Sequence, residues 1–284
     1  MQRRPQEQKR VGFTPNQKQR LRETGGDDYL DLTFEDEVTR EEGFNHIAVA
    51  LEKRNKQDLL RLLNVTRRPA TRQVEREISD ALIRAGFTEV TTPSIISRDF
   101  VNRMGITESH KLWNSIFWLD PTRCLRPMLA PNLYQVMRNL RRTARPVSIF
   151  EVGSCFRRES RGRQHAEEFA MLNAVELAPE KDPEKRLHEM IEIVLTAAQM
   201  PNYRLESTSS EVYGQTTDVI VDEVEVASAA VGPHPLDGNW SIVEPWVGVG
   251  FGIERIVMMK RNCRSIKHVS RSTGYLDGIC LSIQ

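Results

Sequence analysis

A chain of 284 residues, 39% of them apolar, is long enough to bury a substantial core as one large domain or two small ones. Its 40 Lys and Arg against 39 Asp and Glu leave a net charge of +1, so any contact with a polyanion must come from local patches. Cys124, Cys155, Cys263 and Cys280 support neither a disulfide framework nor a zinc knuckle, and no 18-residue apolar run or apolar leader core is present, so the expectation is a cytoplasmic protein with no membrane segment.

Residues 1–12 are polar and read as a disordered basic tail. Seven Lys and Arg fall in residues 1–22 against one acid, forming an arm that is either solvated or in contact with phosphates. Thr14-Pro15 predicts the cap and first residue of a short helix that stops near Gly25 and Gly26. Phe44, Ile47, Ala48 and Leu51 fall at helical spacing, and residues 57–63 predict another short helix. Residues 13–66 therefore read as a helical appendage and 67–284 as the main domain. Over 71–85 a stripe of Val74, Ile78, Ala81, Leu82 and Ala85 predicts an amphipathic helix closed by Gly86, followed by a strand over 87–92 that runs into Pro93. Trp113, Ile116, Phe117 and Trp118 read as core or interface. A short strand over 124–128 precedes a helix over 131–142, and Ala130, Leu133, Tyr134 and Met137 share one face at i, i+3, i+4 and i+7. Asp182-Pro183 opens a further helix with the stripe Leu187, Met190, Ile191, Val194 and Ala198, and residues 203–231 read as strands.

Two stretches carry chemistry. Residues 148–177 read as strand, charged loop, strand, and the loop holds Arg157, Arg158, Glu159, Arg161, Arg163, His165, Glu167 and Glu168. A hairpin with four arginines is either a solvated turn or a place where a polyanion is held. In residues 248–256, Gly248 and Gly250 let a strand backbone approach a ligand closely, and Arg255 projects from the first turns of a helix running to about residue 260.

FRRE at 156–159 followed by GFGIER at 250–255 resembles motifs two and three of class II aminoacyl-tRNA synthetases, and helix, strand and proline over 71–93 loosely resemble motif one. LRPMLAPNLY at 125–134, EFAMLN at 168–173, EVYGQTTDV at 211–219 and PWVGVGFGIER at 245–255 are similar to the pyrrolysyl-tRNA synthetase family. The resemblance implies an α/β (α+β) fold, a mainly antiparallel sheet flanked by helices, and a homodimer formed through residues 71–93. It implies ATP-dependent activation of pyrrolysine through an aminoacyl-adenylate, with Mg2+, and transfer to a cognate tRNA whose CUA anticodon decodes UAG. It is the catalytic-only form that the chain resembles, without a fused N-terminal tRNA-binding domain or an anticodon-binding domain. Such forms act alone or beside a separately encoded tRNA-binding protein. The basic arm, the helical appendage and Arg138, Arg141, Arg142 and Arg145 would then meet tRNA phosphates.

The site residues follow from the same resemblance. Bringing a carboxylate against the α-phosphate of ATP sets two anions together and requires cations. Arg157 matches the arginine at the α-phosphate, and adenine is expected between Phe169 and Arg255. Glu159 and His165 match the loop that reads the adenine edge and terminal phosphates, Gly250 lies in the ATP site, and Glu225 and Ser228 match the magnesium ligands. Arg157 and Arg255 are the expected catalytic residues. Ala130, Leu133, Tyr134, Met137, Val175 and Trp246 are expected to form a deep apolar pocket for a long acylated lysine, with Met171 and Gly248 beside it. Asn173 would supply a polar handle and Tyr213 would close over the ligand. An apolar pocket discriminates weakly, so a range of acylated lysine analogues is expected. Two rival readings are an enzyme of this fold that aminoacylates a protein and a non-catalytic paralogue serving as a binding module.

Overall fold

Period-two alternation organises the centre of the molecule. In residues 168–177 Ala170, Leu172 and Ala174 point to one side of a sheet while Phe169, Met171, Asn173 and Val175 point to the other. The computed structural model describes residues 10–143, 145–158, 166–263 and 265–281. They fall into two units, residues 1–69 with 272–284, and Ala70–Arg271.

In the smaller unit Thr14 and Gln17 form a reciprocal capping box at the start of α1 (Pro15–Glu23), and Asp36 with Thr39 does the same for α2 (Glu37–Arg61). Phe13, Leu21, Leu30, Phe44 and Leu51 form its core. The Tyr275 hydroxyl donates to the Glu23 carbonyl at 2.8 Å. The two helices expected over 44–63 are one continuous helix followed by a single wide turn, Leu62–Thr66. Residues 52–56, Glu-Lys-Arg-Asn-Lys, interrupt the apolar stripe but contain no helix breaker, so the helix runs through them.

The larger unit is built on a seven-stranded sheet: β1 (Thr88–Glu89), β2 (Val147–Phe156), β3 (Glu168–Leu177), β4 (Arg204–Ser210), β5 (Gly214–Val221), β6 (Val224–Gly232) and β7 (Trp246–Gly252). Their order across the sheet is β1-β2-β3-β7-β6-β5-β4. All pairs are antiparallel except β1 with β2. Helices α3 (Ala70–Arg84), α6 (Pro183–Ala197) and α7 (Ile253–Lys260) cover one face, where Ile78, Leu82, Met190, Ile191, Val194, Phe251 and Ile256 are buried together. Toward the other face lie α4 (Arg98–Arg103), α5 (Ala130–Leu140) and a small three-stranded sheet of Ile95–Ser97, Arg123–Leu125 and Trp118–Asp120. This is the α/β architecture with a mainly antiparallel, helix-flanked sheet expected from the resemblance. Among the described residues no helix is long and apolar enough to cross a membrane.

The strand expected over 87–92 pairs only at Thr88–Glu89, because side chains take over its backbone groups. Thr92 donates its N–H to Glu151 Oε1 at 3.1 Å and its hydroxyl to Oε2 at 2.6 Å. Arg126 bonds Glu151 at 2.7 Å, the Ser154 carbonyl at 2.8 Å and the Thr92 carbonyl at 3.2 Å, and Asn132 of α5 donates to the Thr92 hydroxyl and the Pro93 carbonyl. Arg126 and Glu151 are 3% and 1% exposed, so the pair ties the segment after β1 to β2 and α5 from inside the core. Gly153 makes room for it: a Cβ there would lie 2.1 Å from Arg126 Nη2.

A second buried carboxylate fixes α7. Both oxygens of Glu254 accept the Ala170 N–H, at 2.9 and 3.0 Å. Burial, aided by Glu75 and opposed by these backbone bonds and Arg271, pushes its carboxyl up to about 7.

Two stability outcomes follow. Arg126→Leu leaves Glu151 buried without its cation and should cost about 3–5 kcal/mol, read as a lower urea midpoint. For Glu254 the folded value lies above the ordinary 4.5, so its contribution is full at low pH and is lost as pH rises through about 7. Relative to Glu254→Gln, the wild type should therefore lose on the order of 3 kcal/mol between pH 4.5 and 8, measured by denaturation at each pH. A difference that stays flat with pH would show that the carboxylate is not held in this state.

Candidate active site

The open face of the sheet carries two adjoining cavities, and their shape begins with the sequence of β7, Trp-Val-Gly-Val-Gly-Phe-Gly. Val247, Val249 and Phe251 face the helix-covered core, so Gly248, Gly250 and Gly252 present bare backbone to the open face. They stand opposite Val175, Asn173 and Met171 of β3. On the other side Gly248 and Gly250 pair with Ala230 and Ser228 of β6, again small residues.

The smaller cavity, about 70 Å³, is lined by Ala130, Leu133, Tyr134 and Met137 of α5, Asn173 and Val175 of β3, Tyr213, Trp246, Gly248 and Gly250. Of the ten residues expected to hold the amino acid, only Met171 lies elsewhere, lining the larger cavity. The helical spacing on α5 brings its four residues to one wall, and period-two spacing brings Asn173 and Val175 to another. Among the described residues Asn173 Oδ1 is buried without a hydrogen-bond partner. A Cβ on Gly250 would lie 2.9 Å from it. The wall is aromatic: Tyr134 and Trp246 meet edge-on at 5.7 Å, and Tyr213 and Trp246 at 5.9 Å. Burial raises both tyrosine hydroxyls well above their ordinary range, so they serve as neutral hydrogen-bonding groups.

The larger cavity, about 350 Å³, is lined by Arg157, Phe169, Met171, Glu225, Ser228, Gly250, Gly252, Glu254 and Arg255, among others. Arg157 leaves the end of β2, donates from Nε to the Pro127 carbonyl at 2.8 Å and lies over the Phe169 ring at 5.4 Å. Arg255, on the first turn of α7, donates to the Glu225 carbonyl at 2.8 Å and to its carboxylate at 3.0 Å. Glu225 and Ser228 would face opposite sides of a regular strand. A bulge at Val226, where β6 shifts register against β5, turns both toward the cavity. Ser228 and Gly250 line both cavities, so the two spaces meet there. The expected residues Glu159 and His165 lie outside the described residues.

Among the described residues no three His, Cys, Asp or Glu side chains cluster as a metal cage. Glu225 and Ser228 instead offer one carboxylate and one hydroxyl, a hard-oxygen pair suited to Mg2+ that keeps most of its waters or shares phosphate oxygens. Sequence reasoning missed Thr216, Ala229 and Ala230 in the smaller cavity and Leu112, Met128, Val212 and Ile266 in the larger. The run Ala227-Ser228-Ala229-Ala230, small residues where a buried strand ordinarily carries β-branched ones, was the available signal for the first group.

Comparison with known proteins agrees in fold and in length. The family model described as Phenylalanyl tRNA synthetase beta chain CLM domain matches residues 62–232. The crystal structure of pyrrolysyl-tRNA synthetase from Desulfitobacterium hafniense is similar at 42% identity with a TM-score of 0.91, covering 96% of this chain and 99% of that one. A second structure, Desulfitobacterium hafniense PylSc, a pyrrolysyl tRNA synthetase, matches at 42% identity and a TM-score of 0.90 with the same coverage.

Proposed function

Since the chain belongs to the pyrrolysyl-tRNA synthetase family and is an aminoacyl-tRNA ligase, we propose that it activates pyrrolysine with ATP and transfers it to an amber-decoding tRNA with a CUA anticodon. The observation that carries this reading is the junction of the two cavities at Ser228 and Gly250. An apolar, aromatic-walled space meets an arginine-lined space at a point with almost no side-chain bulk. An amino-acid carboxylate entering from the first and an α-phosphate from the second would meet there.

In the first step a carboxylate oxygen bonds to the α-phosphorus, the bond from that phosphorus to the bridging oxygen breaks, and pyrophosphate leaves. Two anions must approach, and Arg157 would offset their repulsion, a reading supported by its Nε being anchored on the Pro127 carbonyl. Adenine fits between Phe169 and Arg255, by stacking and cation–π attraction on the order of 1–3 kcal/mol. Arg255 and Glu225 neutralise each other at 3.0 Å; binding of the nucleotide would release Arg255 to a phosphate and Glu225, with Ser228, to a magnesium ion. Bound there, the ion supplies positive charge to the phosphate oxygens. In the second step a hydroxyl of the terminal tRNA ribose attacks the acyl carbon and AMP leaves. Asn173 would receive the side-chain amide of the substrate, and Tyr213 would cover it.

The basic arm, the smaller unit and the arginines at 138, 141, 142 and 145 are proposed as tRNA contacts, and the described part of that unit carries Arg20 and Arg22 in the last turn of α1. A homodimer through residues 71–93 is proposed as well, which the half-exposed Ile83 of α3 supports.

The testing experiment is ATP–pyrophosphate exchange offering pyrrolysine or a carbamate-acylated lysine beside lysine and phenylalanine. Exchange with the acylated lysines alone is expected, and exchange with lysine alone would reject the pocket reading. Arg255→Ala should lower exchange roughly a hundredfold or more while the protein stays folded, since the pair it breaks is partly solvent-exposed. Gly250→Ala, whose methyl would press on Asn173 where the two cavities meet, should raise the amino-acid KM about tenfold and the ATP KM by less.

A further inference from the structure

Asp237 lies behind the smaller cavity and does not line it, yet the cavity's aromatic walls converge on its carboxylate. The residue is 1% exposed, within the turn Pro235–Trp240. Oδ1 accepts the Tyr134 hydroxyl at 2.7 Å, and Oδ2 accepts the Trp246 indole N–H at 2.8 Å and the His234 backbone N–H at 2.7 Å. Among the described residues no Lys or Arg pairs with it, so these donors meet its charge. Charge-assisted bonds of this kind are shorter and stronger than neutral ones, and a buried acceptor that loses one has no water to replace it.

The consequences spread through ring contacts. Trp240 of the same turn stacks on Tyr134 at 5.4 Å with 18° between planes, which stops that ring from tilting. The Tyr213 hydroxyl interacts with that of Tyr134, and its ring meets Trp246. Tyr134 is thus held at its tip by Asp237 and on its face by Trp240, Trp246 is held at its nitrogen, and Tyr213 leans on both.

We propose that Asp237 is a positioning residue for amino-acid selection. By fixing Tyr134 and Trp246, and through them Tyr213, it sets the width of the smaller cavity and so the bulk of acyl group that the enzyme accepts. The inference rests on reading that cavity as the amino-acid pocket. A purely structural role in the turn predicts lost stability and a proportional loss of all activity, whereas a positioning role separates the kinetic constants.

The test is pyrophosphate exchange on the full chain with carbamate-acylated lysines of increasing acyl bulk, beside thermal unfolding. Asp237→Asn keeps the shape but turns one acceptor into a donor, so one wall comes loose. The expected result is an amino-acid KM raised at least about tenfold, with kcat and the ATP KM within about twofold and the preference moved toward bulkier acyl groups. Tyr134→Phe should move the ranking the same way, and the double variant should lose less than the product of the two single losses, because both remove one bond. If Asp237→Asn does not fold, Trp246→Phe, which deletes the indole donor and keeps a ring, carries the test with the same expected shift. An unchanged KM and ranking in a folded variant, or a parallel fall of every constant, would overturn the proposal. A wild type that exchanges with no acylated lysine would remove the pocket reading and this inference with it, whereas normal wild-type selectivity with an unaltered variant removes only the role of Asp237.

Discussion

The absence of side chains along one face of β7 beyond Trp246 is the constraint on which the rest of the site depends. A strand in the middle of a seven-stranded sheet ordinarily carries bulk on both faces, and here Val247, Val249 and Phe251 supply it only toward the helices. Gly248, Gly250 and Gly252 leave the other face open, and the small residues Ser228 and Ala230 extend the gap to the neighbouring strand. Each glycine weakens the strand, since it brings no packing and loses more freedom on folding. That cost is offset by pairing on both edges of β7 and by the buried helices behind it. The junction of the two cavities is therefore set by the backbone of β6 and β7.

Much of this was legible in the sequence because it obeys a period. Alternation in β3 and β7 and the i, i+3, i+4, i+7 spacing of Ala130, Leu133, Tyr134 and Met137 assign faces directly. Glu225 and Ser228 break the period, and what reconciles them is a bulge that no residue type announces. Asp237 was not legible at all. In Pro-Leu-Asp-Gly it reads as an ordinary turn residue, and its partners Tyr134 and Trp246 are 103 and 9 positions away in sequence. The short pairing of β1 was hidden for a related reason. Thr92 would have extended the strand, but a carboxylate and a guanidinium from distant segments claim its polar groups.

Three of the four buried carboxylates among the described residues, Glu151, Asp237 and Glu254, are handled in three ways, while the fourth, Glu176, is paired with Arg186. Glu151 is paired with a guanidinium and welds the segment before Pro93 to β2. Glu254 accepts the Ala170 N–H and is pushed up to about 7 by burial, which puts its change of charge near neutrality. Asp237 is surrounded by donors from the pocket walls. All are remote from solvent, and a change at any of them reaches the site through rigid neighbours rather than through a moving loop.

The two cavities differ in how they answer a ligand. In the larger one Arg157, Arg255 and Glu225 are partly exposed, and Arg255 and Glu225 satisfy each other, so a polyphosphate bound there would exchange one set of ionic contacts for another. In the smaller one Tyr134 and Trp246 are buried and tied to a fixed acceptor, so their geometry is already set before any ligand arrives. Among the described residues only Ser228 and Gly250 belong to both. Substitutions on α5, at Val175 or behind Trp246 therefore reshape the smaller cavity without touching the charged groups of the larger one. The same scaffold could take a different side chain into the first cavity while the arginines of the second keep their places, because among the described residues no side chain larger than serine is shared by the two.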